Sequence, residues 1–248
     1  MEELFVSKII GRYVFSFQPD KTNYMSSVLD HFEHCLNFDK SNCKYKNSRF
    51  HYSDIRNTTK LLRELFFLII DITNFNYNAG KEEWIEKILP LIKKDIPSLY
   101  NKLLNTSTKE LFVETKIQKQ FDNIRNPYYK NIIENYYIEL FGKYRELLLE
   151  HLKKMSLYDG INDKFTLDWL LETTGVLVDA YVVGRMFRSF NNGSDPRYII
   201  VYLGNWHIDG IKTLFDRLGF YNVGNNTSNI PGKDFQCLRV GLKIPFFH

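Results

Sequence analysis

Several common features are scarce or missing in these 248 residues. Cysteine occurs three times, as Cys35, Cys43 and Cys237, an odd number without the spacing of a metal site. That excludes a disulfide framework and a zinc ribbon, and points to a reducing, intracellular setting. No signal peptide is expected, because Leu4 to Ile10 is short and interrupted by Ser7 and Lys8. The most apolar stretch, Leu61 to Ile72, is too short to span a bilayer, so a soluble protein is expected. A basic stripe is missing too. The net charge is +4, but the lysines are scattered among carboxylates, so no nucleic-acid partner is expected. Such binding needs a contiguous Lys/Arg face and shows itself by its salt dependence.

What is present is ordinary for a globular chain: 44% apolar and 25% charged residues, enough for one sizeable core. Aromatics are high at 16%, alongside abundant Asn, Lys and Ile. AT-rich codons encode this set, so the bias describes a genome more than a fold.

The chain reads as organised around Arg197 to Val223. Tyr198 to Leu203 is an apolar, β-branched run that predicts a buried strand. Gly204 breaks it, and Asn205, Trp206 and His207 form a short crossing. Ile208, Ile211, Leu214, Phe215 and Leu218 then recur at helical spacing until Gly219 stops the helix. Phe220 to Val223 starts another strand. Further strands are predicted at Glu3 to Ile9, Phe50 to Ile55 and Gln236 to Ile244. The expected fold is therefore α/β: one domain over 1–248, a central sheet flanked by helices, with 81–154 as a long helical insertion. Within that insertion Pro90 and Pro97 are expected to break the helix.

In open α/β sheets ligands bind at the carboxyl ends of strands, which puts His207 first among candidate catalytic residues. A neutral imidazole beside a helix N-terminus can act as base or metal ligand. Asp54 and Arg56 end the Phe50 to Ile55 strand and would join His207. Asp54 would fix which ring nitrogen is free, and Arg56 would clamp an anion. The alternative is an Asp–Arg surface pair, worth little. On Phe165 to Phe190, the positions Asp168, Glu172, Gly175 and Asp179 share one helical face, and Tyr181, Arg185 and Arg188 another. Charges in so apolar a helix must be paired or face a cleft. Asp179 and Arg185 are thus further catalytic candidates, with a structural salt-bridge network as the alternative. Gly204, Asn205, Trp206, His51 and Arg188 are the candidate substrate-binding residues. His31 and His34, flanked by Asp30 and Glu33, read as solvated surface. No set of three zinc ligands emerges, so no metal is assigned and the cofactor is left unknown.

Five stretches in order resemble a group of uncharacterised proteins encoded by giant DNA viruses of protists. They are FVSK, DHFEHCL…SNCKY, RFHYSDIR, DAYVVGRMFRSF and YIIVYLGNWHIDGIKTLFDRLGF. More distantly, Gly204, Asn205, Trp206 and His207 after a strand are similar to the superfamily of erythromycin esterases, ChaN haem-binding proteins and TraB/Tiki-type metalloproteases. That resemblance implies an α/β sheet with a helical insertion and a site built from His207, Asp54 and Arg56. It also implies a hydrolase-like activity, with metal assistance as an option, in a host cytoplasm or virion. The superfamily's Gly-Glu-x-His motif is not in this chain, which begins at what would be the second strand. Either a preceding segment or a lost half-site is therefore expected. The alternative is a non-catalytic viral structural or host-interaction protein, in which His207 only packs and caps. The partner would be a small molecule or a protein.

Overall fold

The computed structural model describes residues 55, 59–77, 82–157, 164–189, 199, 201 and 205–221. Seven helices account for most of them. In chain order they are α1 (Lys60–Tyr77), α2 (Glu82–Asn105), α3 (Thr108–Glu114), α4 (Ile117–Asp122), α5 (Pro127–Leu157), α6 (Lys164–Phe187) and α7 (Asn205–Arg217).

The expectation of an α/β fold is overturned: among the described residues there is no strand and no sheet. A single antiparallel bridge joins Ile124 to Arg188, tightened by Ser189 N–H donating to the Asn123 carbonyl at 2.8 Å. Ile199 and Val201, from the run predicted as the central strand, have no ladder partner, and Ile199 lies exposed. Ile55, Phe220 and Tyr221, from two other predicted strands, are not part of a strand either. The predicted strands at Glu3 to Ile9 and Gln236 to Ile244 lie outside the described residues.

The physical reason lies in what covers the helices. β-branched runs fit a pleated, half-buried surface, and their preference is decided by neighbours. Here the neighbours are helices. α6 packs against α1, α4, α5 and α7, and α5 also against α2. A helix apolar over most of its surface belongs largely in the interior, and α1 and α6 bury most of theirs. Leu61, Leu62, Leu65, Leu68 and Ile72 of α1 are fully buried, as are Leu177, Ala180 and Val183 of α6. Their apolar faces are covered by other helices, so no sheet is needed to bury them.

Local signals set most helix ends. Asn126 caps α5: its Oδ1 accepts from the Tyr128 and Tyr129 amides at 2.9 and 3.3 Å. Pro127 occupies the first helical position, where its missing N–H is no loss. Ser107 and Glu110 form a capping box at α3, with Glu110 Oε2 accepting from the Ser107 amide at 2.8 Å. α7 ends as expected at Gly219, whose φ is +82°. The Phe220 amide reaches back to the Phe215 carbonyl and the Gly219 amide to that of Asp216. The Phe215 and Phe220 rings meet at 5.3 Å, so the end is a complete Schellman motif. α2 departs from expectation by running unbroken through Pro90 and Pro97. Ile92, Ile96, Leu99 and Leu103 lie along its buried face, and that packing outweighs two interrupted backbone hydrogen bonds.

Candidate functional site

The first turn of α7 meets the third quarter of α6. The helix begins at Asn205, three residues earlier than its apolar spacing suggests, which places His207 inside the first turn. Its Nδ1 lies 2.6 Å from Oδ1 of Asp179. The carboxylate is nearly sealed, at 6% exposure, whereas the imidazole keeps 25%. Burial pushes the Asp179 carboxyl above its ordinary range, and the hydrogen bond and charge of His207 pull it partly back.

Gly210 follows His207 by three residues and so shares its face of α7. A Cβ at that position would stand 3.4 Å from Asp179 Oδ2, which places the carboxylate beside this face of α7. From α5, the Tyr136 hydroxyl approaches the Gly210 carbonyl at 3.5 Å. The Arg217 guanidinium lies over the Tyr136 ring at 4.8 Å. Tyr137, next in sequence, is 1% exposed. α5 thus meets α7 beside the turn that carries His207.

Chemically, the arrangement is an oriented imidazole. An ionised Asp179 can only accept a hydrogen bond, so the contact places the proton on Nδ1 and selects one tautomer. Nε2, on the other side of the ring, is then the nitrogen with a lone pair, able in principle to accept a proton. A dry carboxylate also stabilises the imidazolium that results.

The candidates from sequence distribute unevenly. His207 and Asp179 are both candidates from sequence and the structure brings them together: Asp179 makes the contact with the imidazole that is expected of Asp54. His51, Asp54, Arg56 and Gly204 lie outside the described residues, and for Asn205 and Trp206 only the backbone position in α7 is described. Arg185 is half-buried and hydrogen-bonded to Tyr181 one turn earlier; burial lowers its pKa, and the nearby Arg188 adds to that. Arg188 donates to Gln120 Oε1 at 3.0 Å, tying α6 to α4. Along the other face, Asp168 is exposed, Glu172 half-buried, and Gly175 and Asp179 buried, so the helix dives inward along its length. Glu172 is hydrogen-bonded by Tyr144.

Sequence reasoning missed Tyr136, Tyr137 and Gly210. A glycine three residues after the histidine inside a helical pattern was the available signal. It also passed over Asp71, a fully buried carboxylate on α1 whose only mark was its place in an otherwise apolar run. Among the described residues no three His, Cys, Asp or Glu side chains gather as metal ligands. No helix among them is long and apolar enough to cross a membrane. The three cysteines lie outside the described residues.

Compared with protein-family models, curated proteins and solved structures, the chain finds no match.

Proposed function

We propose that this helical protein is a hydrolase of the acid–base type, in which His207 is the general base and Asp179 orients it. The observation that carries the reading is the 2.6 Å contact between a quarter-exposed imidazole and a nearly sealed carboxylate. In the reaction, Nε2 takes a proton from the attacking water as its oxygen bonds to the electrophilic centre. The imidazolium, held against Asp179, returns that proton to the departing group as its bond breaks. The reading needs no metal, and it is independent of the α/β scaffold expected from sequence. Its substrate is a small molecule. The resemblance to giant-virus proteins and the sparse cysteines support a reducing setting, host cytoplasm or virion.

The test is a panel of chromogenic carboxylic and phosphoric esters, assayed with wild type, His207→Ala and Asp179→Asn. Turnover that both substitutions abolish, with circular dichroism unchanged, is expected. Turnover equal in all three proteins, or none in wild type, would overturn the reading.

One observation favours a second reading. The same contact, with Tyr136 on the Gly210 carbonyl, ties α7 to α5 and α6. In a non-catalytic viral structural or host-interaction protein the pair would serve only as that tie. His207→Ala would then lower thermal stability in a wild type that turns nothing over.

A further inference from the structure

Among the described helices α7 packs on α6 and α5 alone. The α6 side carries the His207–Asp179 contact. From the α5 side the buried Tyr136 reaches α7 at two levels. Its hydroxyl donates to the Gly210 carbonyl at 3.5 Å, and its ring lies under the Arg217 guanidinium at 4.8 Å. A carbonyl has two lone pairs, so Gly210 can accept this bond beside its helical one. Gly210 and Arg217 are seven residues apart and share a face of α7, so one side chain spans roughly 10 Å of the helix. The Tyr136 ring is itself braced edge-on by the sealed Tyr137 at 5.2 Å. His207 precedes Gly210 by three residues within the same helix, a separation the backbone fixes, so a hold on Gly210 is a hold on His207. The imidazole is a quarter exposed, and water can replace Asp179 on Nδ1 once that turn shifts.

We propose that Tyr136 is a positioning residue for the proposed base: by clasping α7 at Gly210 and Arg217 it fixes His207 Nδ1 against Asp179 and keeps the imidazole in one tautomer. The inference rests on the pair acting as that base. The clasp keeps its proton. Burial, the largest influence, raises the Tyr136 pKa; the Arg217 charge lowers it, and Asp179 and Glu139 raise it again. The net direction is upward, so the hydroxyl remains a donor at neutral pH.

The experiment reads the ¹⁵N signals of the imidazole nitrogens, with His207 assigned by its loss in His207→Ala. Spectra are taken well below the melting temperature, where a loss of stability alone does not register. Tyr136→Phe removes the hydroxyl and leaves the ring under Arg217, whereas Tyr136→Leu removes both holds. The share of His207 protonated on Nδ1 is expected to fall by about half in Tyr136→Leu and by less in Tyr136→Phe. Tyr128→Phe, at an exposed ring, should leave it in place. If Tyr136→Leu does not fold, Tyr136→Phe combined with Arg217→Gln loosens both holds without emptying the core. A wild-type tautomer in Tyr136→Leu, or in that combination, overturns the proposal. The readout needs no turnover. A wild type that hydrolyses nothing, with a tautomer that still follows Tyr136, sinks the hydrolase reading and leaves this link standing.

Discussion

Gly184 of α6 and Gln120 of α4 pack backbone against side chain with no room between them. A Cβ on Gly184 of α6 would stand 2.7 Å from the Gln120 Cβ of α4 and 3.2 Å from a ring carbon of Phe121. The Gln120 Cβ is fixed to its backbone and cannot rotate aside. Gly184→Ala should therefore destabilise the protein by about 1–3 kcal/mol through overpacking, despite alanine's better helix propensity. Gly142 on α5 has nothing within 4 Å of the same position. Gly142→Ala should stabilise by about 0.5–1 kcal/mol. Urea melts of the two variants should move in opposite directions; a shared direction would refute the close fit.

The charge of Asp179 should cost stability. Its folded pKa lies above the unfolded one because burial disfavours the anion. The native state thus holds its proton to higher pH than the unfolded chain, and stability falls as pH rises through that window. Asp179→Asn should melt at the same temperature as wild type or higher at neutral pH. The difference should vanish as pH falls below the ordinary carboxylate range. On the proposed chemistry the same substitution should cost turnover on the order of 10³–10⁴-fold, because an amide no longer enforces the tautomer. Loss of stability at neutral pH, with turnover intact, would count against both statements.

At the start of α3 the sign is reversed. The hydrogen bonds from the Ser107 hydroxyl and then its amide lower the pKa of Glu110. That contribution is present above the unfolded value and is lost as pH falls through the folded one. Ser107→Ala should cost about 1 kcal/mol of cap stability near neutral pH and flatten the acid side of the stability–pH curve. A curve parallel to wild type through the carboxylate range would show that the capping box does not act.

Gly219 sits at φ +82°, a conformation in which a side chain crowds the backbone. Gly219→Ala should lose about 1–2 kcal/mol, and it should also broaden the signals of Phe215 and Phe220, whose ring contact depends on that turn. A neutral melt would mean that the chain can leave α7 by another route.

Legibility in the sequence followed the range of the interactions. Short-range signals were readable: Gly219 closing α7, and the apolar density of Phe165 to Phe190 that becomes the buried helix α6. Tyr198 to Leu203 misled because β-branched composition reports a preference for a half-buried surface and not the presence of a partner strand. Pro90 and Pro97 misled in the same way, since the broken hydrogen bonds are local while the Ile92 to Leu103 packing that overrides them is not. The site was half legible. Asp179 and His207 could each be singled out, one as a charge inside an apolar helix and the other beside a glycine. Their pairing spans 28 residues and two helices, and nothing in spacing or periodicity reports such a meeting.

The two members of the pair belong to parts of the molecule with unequal holding power. Asp179 rides on α6, clasped by α1, α4, α5 and α7, whereas His207 rides on α7, which among the described helices rests only on α5 and α6. Stability within a protein is graded in this way, and weakly held elements open first. The histidine is thus mounted on a detachable part and the carboxylate on the frame. Amide exchange should be faster at His207 than at Asp179, and heating should disconnect the two before the frame itself gives way.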